Sequence, residues 1–176
     1  ITKTQTPVAG TIITGASSTN ILIEATDASG NKESVTVLFI TKDVTPPVVL
    51  CRGGINLYLD GSGNATLNAS AVDNGSSDNC SAVLNLSLSK IAFNCSDIGA
   101  PVSVILNGKD ASLNSSTCTS LVTVLDTVKP VVNVKTFNLV LGPTGTGTLL
   151  PANVDNGSFD NCGPITLSVA PNTFNC

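Results

Sequence analysis

The segment that decides the fold is 72–80, VDNGSSDNC, which returns as VDNGSFDNC at 154–162 with one of nine positions changed. Neighbouring segments return at a similar spacing: AFNC at 92–95 as TFNC at 173–176, and DASGNKESVTVLFITKD at 27–43 as DASLNSSTCTSLVTVLD at 110–126. Self-similarity at a fixed period is the signature of a repeat architecture. The sequence therefore predicts tandem repeats of about 82 residues.

The repeat spacing divides the chain into three parts. Residues 1–46 are the C-terminal half of one repeat, 47–129 are a complete repeat, and 130–176 are the N-terminal half of a third. A unit of this size can bury its own core, unlike the shorter repeats of solenoids. The repeats are therefore predicted to be separate domains, like beads on a string. Prolines at 46–47 and at 130 predict short, stiff joints, since proline fixes φ.

Each repeat has the pattern of a β-protein. Short segments rich in Val, Ile, Leu and Thr lie at 20–26, 55–59, 83–89 and 119–125, and turn sequences such as Asp-Ala-Ser-Gly-Asn separate them. No stretch keeps a helical period with capping residues. Many short strands without helices are typical of a β-sandwich of about seven strands. The predicted fold class is all-β, with tandem immunoglobulin-like β-sandwich repeats.

The conserved pattern between copies resembles a known family. D-x-x-P-P lies at 43–47, D-N-G-S-x-D-N-C at 73–80, F-N-C at 93–95 and A-T-D-A-S-G-N at 25–31. These residues resemble the HYR-like, immunoglobulin-like tandem repeats of giant bacterial cell-surface adhesins. The likeness is greatest to Bacteroidota adhesins exported by the type IX secretion system, including those of gliding motility. The resemblance covers the whole chain and implies an extracellular protein at the cell surface.

The composition excludes most catalytic chemistry. The 176 residues include no His, Met or Trp and one Tyr, and the charged residues make up 11% of the chain with a net charge of −4. Without imidazole there is no Ser-His-Asp or Cys-His nucleophile system. The charge balance offers no basic surface for nucleic acid, and no apolar run approaches the ~20 residues of a membrane helix. We expect no enzyme activity, no nucleic-acid partner and no membrane insertion.

Two of the six cysteines belong to the middle repeat alone. Six cysteines allow 15 pairings. Cys51 aligns with Val134 in the third repeat, and Cys118 aligns with Val35 in the first. Neither cysteine therefore has a counterpart in the half-repeat that aligns with it. The simplest pairing is between the two cysteines, Cys51–Cys118. That bond would join the first and last strands of one repeat.

The other four cysteines recur as a pair. Cys80 and Cys95 return together as Cys162 and Cys176, which predicts the bonds Cys80–Cys95 and Cys162–Cys176. The alternative is that the six cysteines are reduced or bind a metal. The sequence has no C-x-x-C motif and no His beside a cysteine that would support it. Three disulfides imply an oxidising or extracellular compartment.

Aspartates recur at matching places in a chain with few charges. Strand parity in a seven-strand sandwich places the loop after the second strand and the loop after the sixth strand at the end where the chain enters the repeat. Clusters of carboxylate oxygens suit Ca²⁺, which takes 6–8 oxygen ligands. The alternative is that each aspartate closes a local Asx-turn. The candidate calcium ligands are Asp43, Asp73, Asp78 and Asp110 at one joint, and Asp126, Asp155 and Asp160 at the next.

Thr127 is a candidate glycosylation site, because Asp126-Thr127-Val128 resembles the Asp-Ser/Thr-aliphatic acceptor of Bacteroidota O-glycosylation.

Three functions remain open. The first is a non-catalytic structural stalk of a large surface adhesin, which projects a distal binding region from the cell. Its partners would be neighbouring repeats of the same chain, and a surface or polysaccharide would be bound by regions outside this sequence, which we expect to be an internal piece of a longer protein. The alternatives are a subunit of a non-covalent extracellular filament and an accessory immunoglobulin-like module of a secreted enzyme.

Overall fold

The computed structural model describes residues 1–13 and 17–176 of the chain. Strands and isolated β-bridges account for 41% of the described residues and helices for 6%. The longest helix in the described ranges has four residues. The predicted all-β class is therefore confirmed.

Eleven strands and three short helical turns make up the regular structure of the described residues. The strands are β1 Thr2–Thr6, β2 Ser18–Thr26, β3 Lys32–Ile40, β4 Ile55–Tyr58, β5 Asn64–Thr66, β6 Asn85–Leu88, β7 Ala92–Asn94, β8 Val102–Lys109, β9 Ser115–Leu125, β10 Thr146–Thr148 and β11 Thr173–Asn175. The helical turns are α1 Ala69–Val72, α2 Pro151–Val154 and a 3-10 turn at Cys95–Asp97. All four segments that the sequence pattern marked as strands contain one.

The chain forms two compact units, each assembled from three segments. The first unit comprises Ile1–Gly53, Ala69–Ser89 and Val104–Ser120. The second comprises Gly54–Asn68, Lys90–Ser103 and Leu121–Cys176. Segments of the predicted middle repeat belong to both units, and the repeat boundaries remain a prediction from the sequence.

Most strand pairs are antiparallel. The first unit holds the sheet β1-β2-β3 and the pair of β6 with β8. The second unit holds the pairs β5-β7 and β10-β11, and β4 paired in parallel with β9. The four-stranded sheet has the strand order β4-β9-β8-β6.

The two copies of the decisive segment adopt the same local structure. In the first copy α1 leads into isolated bridges that join Cys51 to Asp73 and Val48 to Ser77. In the second copy α2 leads into bridges that join Val134 to Asp155 and Val131 to Phe159. The antiparallel pair β5-β7 likewise corresponds to β10-β11. Similar sequence therefore gives similar backbone pairing at both places.

The core follows the two-residue period of a strand. On β8 the buried side chains are Val104 and Leu106, and on β9 they are Ser120, Val122 and Val124. Successive strand residues point to opposite faces, so every second residue is buried. Full burial of one such aliphatic side chain stabilises a fold by about 1.5–3 kcal/mol. In contrast, all nine residues of β3 are exposed.

Candidate functional site

Three aspartates from distant parts of the chain converge in the first unit. Asp43, Asp78 and Asp110 each place one carboxylate oxygen within 4.8 Å of the other two. Asp43 is 7% exposed and Asp110 is 4% exposed, whereas Asp78 is half-buried. The sequence predicted this convergence for four aspartates, and the structure brings together these three.

Two of the loops are held by Asx-type turns. The Oδ1 atom of Asp43 accepts a hydrogen bond from the backbone N–H of Thr45 at 3.0 Å. The Oδ1 atom of Asp78 accepts from the backbone N–H groups of Cys80 at 2.9 Å and Ser81 at 2.7 Å. Such turns are what short acidic side chains form in loops. Each turn uses one oxygen of its carboxylate.

The third loop is tied to the other two by side chains. Asp110 accepts from the backbone N–H of Asn114 and from its Nδ2 atom, both at 2.8 Å. The same Nδ2 atom donates to the backbone carbonyl oxygen of Asp43 at 3.3 Å. The Oγ atom of Ser81 accepts from the backbone N–H of Ala111 at 3.1 Å. These bonds hold the three loops in one place.

Two carboxylate oxygens in this cluster have no partner. The Oδ2 atoms of Asp43 and Asp78 are buried and make no hydrogen bond. The ion pairs between described side chains are Lys32–Glu24 and Lys90–Asp97, so neither aspartate is neutralised by one of them. Buried polar atoms nearly always have a partner, because leaving one unpaired is costly. The Asx-turn alternative therefore explains one oxygen of each side chain and leaves the other unexplained.

The cluster produces a negative environment around Cys80. Desolvation of the thiol, together with the charges of Asp43, Asp78 and Asp110, raises the pKa of Cys80. The pKa of Asp78 is lowered, chiefly by the hydrogen bond from the Cys80 backbone N–H. A carboxylate held ionised beside two others attracts cations.

Asp73 and Asp155, also predicted as ligands, do not join the cluster. Asp73 accepts from the backbone N–H of Ser76 at 3.0 Å and from its hydroxyl at 2.5 Å. Asp155 accepts from the backbone N–H of Ser158 at 3.0 Å. The hydrogen bonds from these serines lower the pKa of both carboxyls. In both cases the serine three residues further along the chain occupies the carboxylate by hydrogen bonding. These two aspartates therefore close local turns.

Asp126 and Asp160 are the repeat counterparts of Asp43 and Asp78. Asp126 accepts from the backbone N–H of Val128 at 3.0 Å and from Asn161 Nδ2 at 3.4 Å. Asp160 accepts from the backbone N–H of Cys162 at 3.0 Å. The residue of the third repeat that would correspond to Asp110 is not among the 176 residues. Within the described ranges, the structure forms a group of three carboxylates at the first joint and not at the second.

One disulfide is the predicted one. Cys51 and Cys118 are bonded, with 5.8 Å between their Cα atoms. They are 67 residues apart in the chain. In the chain-entropy model, closing a loop of that length stabilises the fold by about 4 kcal/mol.

The second disulfide corrects the other predicted pairs. Cys95 is bonded to Cys162, with 5.1 Å between their Cα atoms, and Cys80 and Cys176 are free and exposed. The predicted bonds Cys80–Cys95 and Cys162–Cys176 are therefore wrong.

The path of the chain explains this correction. Between Cys80 and Cys95 lie β6 and β7, which pair with β8 and β5 and not with each other. The segment between the two cysteines is therefore not a hairpin that would bring their Cα atoms within the about 7 Å that a disulfide requires. The bond instead links the late cysteine of the predicted middle repeat to the DNC cysteine of the predicted third repeat.

A glycine turn makes room for the late cysteine of each copy. Gly63 has φ of +73°, and a Cβ atom there would lie 2.5 Å from Cys95 Sγ and 3.5 Å from Cys162 Sγ. Gly145 has φ of +75°, and its Cβ would lie 2.9 Å from Cys176 Sγ. Sequence reasoning missed the contact of both turns with the sulfur atoms. The signal was present, since both turns precede their cysteines at a similar spacing.

Thr127 is exposed in the segment that follows β9, and its glycosylation remains a prediction. No helix in the described parts of the chain is both long and apolar enough to cross a membrane. The two disulfides indicate an oxidising compartment outside the cytoplasm. No protein-family model matches the chain, and no curated protein sequence matches it.

Proposed function

We propose that this chain is a section of a non-catalytic structural stalk. In this proposal, disulfide-stabilised immunoglobulin-like repeats of a large extracellular surface adhesin project a distal binding region from the cell. The resemblance to HYR-like repeats of type IX-secreted adhesins, the duplicated motifs and the β-rich fold support it.

The observation that carries the proposal is the bond between Cys95 and Cys162. These residues occupy different positions of the repeat pattern in two successive copies. A bond of this kind fastens one predicted repeat to the next and limits how far the chain between them can extend under tension. Together with Cys51–Cys118 it places the chain from 51 to 162 within overlapping covalent loops. Tension along the chain could then not unravel that region completely.

The filament is the second proposal. In it, copies of a short chain associate without covalent bonds, through strand edges that pair with another chain.

The mass of the parent chain separates these proposals. We would measure it after denaturation and reduction, on undegraded material from the native source. The stalk proposal predicts several hundred kilodaltons, because dozens of repeats would lie in one polypeptide. A mass of a few tens of kilodaltons would overturn it and favour the filament. A catalytic domain elsewhere in the parent chain would favour an accessory module of a secreted enzyme.

A further inference from the structure

We propose that Asp43, Asp78 and Asp110 form a binding site for a divalent cation, and that the ion is Ca²⁺. The site goes beyond the stalk proposal, because it stands on the geometry of these three side chains whatever the parent protein does.

The spacing of the carboxylates fits one ion. Calcium binds oxygen at about 2.3–2.6 Å, so two oxygens on one ion are at most about 5 Å apart. The three carboxylate oxygens lie within 4.8 Å of one another. One ion can therefore contact all three aspartates.

An independent observation points to a missing positive charge. Asp43 is 93% buried, and its Oδ2 atom has no hydrogen-bond donor, as is also the case for Oδ2 of Asp78. The Oδ1 atoms of both residues are already used by backbone N–H groups. Turn formation therefore cannot account for the buried oxygens, whereas a bound cation satisfies them and offsets the repulsion between like charges.

The chemistry of the donors selects the metal. The ligands are carboxylate oxygens, and the chain has no His. Hard oxygen donors suit Ca²⁺ and Mg²⁺. The three donors come from separate loops and supply only part of the 6–8 oxygens that Ca²⁺ takes, which leaves positions for water at the half-buried Asp78. Mg²⁺ demands a stricter octahedron and gives up its water reluctantly, so Ca²⁺ is the better fit.

The site has a mechanical consequence. Asp43 lies in the proline-containing segment before β4, whereas Asp78 and Asp110 lie in loops that follow α1 and β8. An ion that binds all three fixes the joint segment to those loops. Calcium binding is therefore expected to stiffen this joint.

The test is a calorimetric titration of the 176-residue chain with CaCl₂ after treatment with a chelator. We expect one site per chain, with Kd on the order of 10⁻⁴ to 10⁻³ M, as in extracellular calcium modules. Mg²⁺ titrated in the same way should bind at least tenfold more weakly. The absence of saturable heat up to about 10 mM Ca²⁺ would overturn the proposal without any variant.

Asp78→Asn keeps the Oδ1 acceptor of the turn and removes the charge. We expect it to weaken calcium binding at least tenfold while circular dichroism stays unchanged. Asp160→Asn is the matched control, because Asp160 accepts from the backbone N–H of Cys162 as Asp78 does from Cys80 but lies outside the cluster. Wild-type affinity in Asp78→Asn, or an equal loss in Asp160→Asn, would contradict the site.

Discussion

The overlap of the two disulfides has a consequence for the length of the chain under tension. Cys51–Cys118 and Cys95–Cys162 each enclose 67 residues, and their loops overlap between 95 and 118. After unfolding, the tension between residues 51 and 162 follows the shortest covalent path, which uses both bonds. This path passes from 51 to 118 through the first bond, back along the chain to 95, and through the second bond to 162, so it contains the 23 residues between 95 and 118. With either bond alone the shortest path contains 44 residues, because the segments 51–95 and 118–162 are equally long.

The perturbation is the replacement of each bonded pair by serine. Removing Cys51 and Cys118 together should lengthen the oxidised, unfolded chain by 21 residues, which corresponds to about 70 Å at roughly 3.4 Å per extended residue. Removing Cys95 and Cys162 together should do the same. Removing all four should release 88 residues, or about 300 Å.

Single-molecule stretching from the chain ends measures these lengths, and a reducing buffer is the control for the four-fold variant. The pairing Cys80–Cys95 with Cys162–Cys176 makes a different prediction. In that case, removing Cys51 and Cys118 would lengthen the chain by roughly 52 residues, or about 180 Å. A lengthening of that size would refute the arrangement of disulfides described above.

Three further predictions concern single groups. Gly63→Ala should reduce the yield of the Cys95–Cys162 bond, measured by thiol titration. The new methyl group would lie 2.5 Å from a bonded sulfur, and the backbone there has a φ of +73°. As a control, Gly61→Ala should leave the yield unchanged, because its methyl group would meet no atom within 4 Å. Phe93→Ala should destabilise the chain by about 3–5 kcal/mol in urea unfolding, since Phe93 is 2% exposed, and the same change at Phe159, 56% exposed, should cost far less. The free energy of unfolding should fall in acid. Hydrogen bonds lower the pKa of Asp73 from 3.8 in the folded state. The contribution of Asp73 to stability is therefore complete above the unfolded pKa and is lost as the pH falls through the folded value. A urea midpoint that stays constant from pH 6 to about pH 2 would contradict that assignment.

Local patterns predicted much of the fold. The predicted segment 119–125 lies in β9. Alternate side chains of β9 are buried, as the two-residue period of a strand requires. The turn at 27–31 was also predictable, since Asp27 closes it with hydrogen bonds from Ser29 and Asn31. The single-turn helices α1 and α2 were not predicted, because four residues are too few to show a helical period.

The two errors at the candidate site have different physical causes. Asp73 was placed with the other aspartates because it lies in the same segment as Asp78, but its carboxylate is taken by Ser76, a local competitor. Bonds within a repeat and bonds between successive repeats would both explain why Cys80 and Cys95 recur together. Only the path of the chain through β6 and β7 decides between them.

The central claim is that a disulfide joins Cys95 of the predicted middle repeat to Cys162 of the predicted third repeat, and a tryptic map of the non-reduced chain tests it most directly. Trypsin cleaves after Lys and Arg but not before proline, which leaves Cys80 and Cys95 in separate peptides, 53–90 and 91–109, and Cys162 with Cys176 in peptide 136–176. After alkylation of free thiols, we predict that 91–109 is linked to 136–176 and that 53–90 carries an alkylated Cys80. A link between 53–90 and 91–109 would contradict the account.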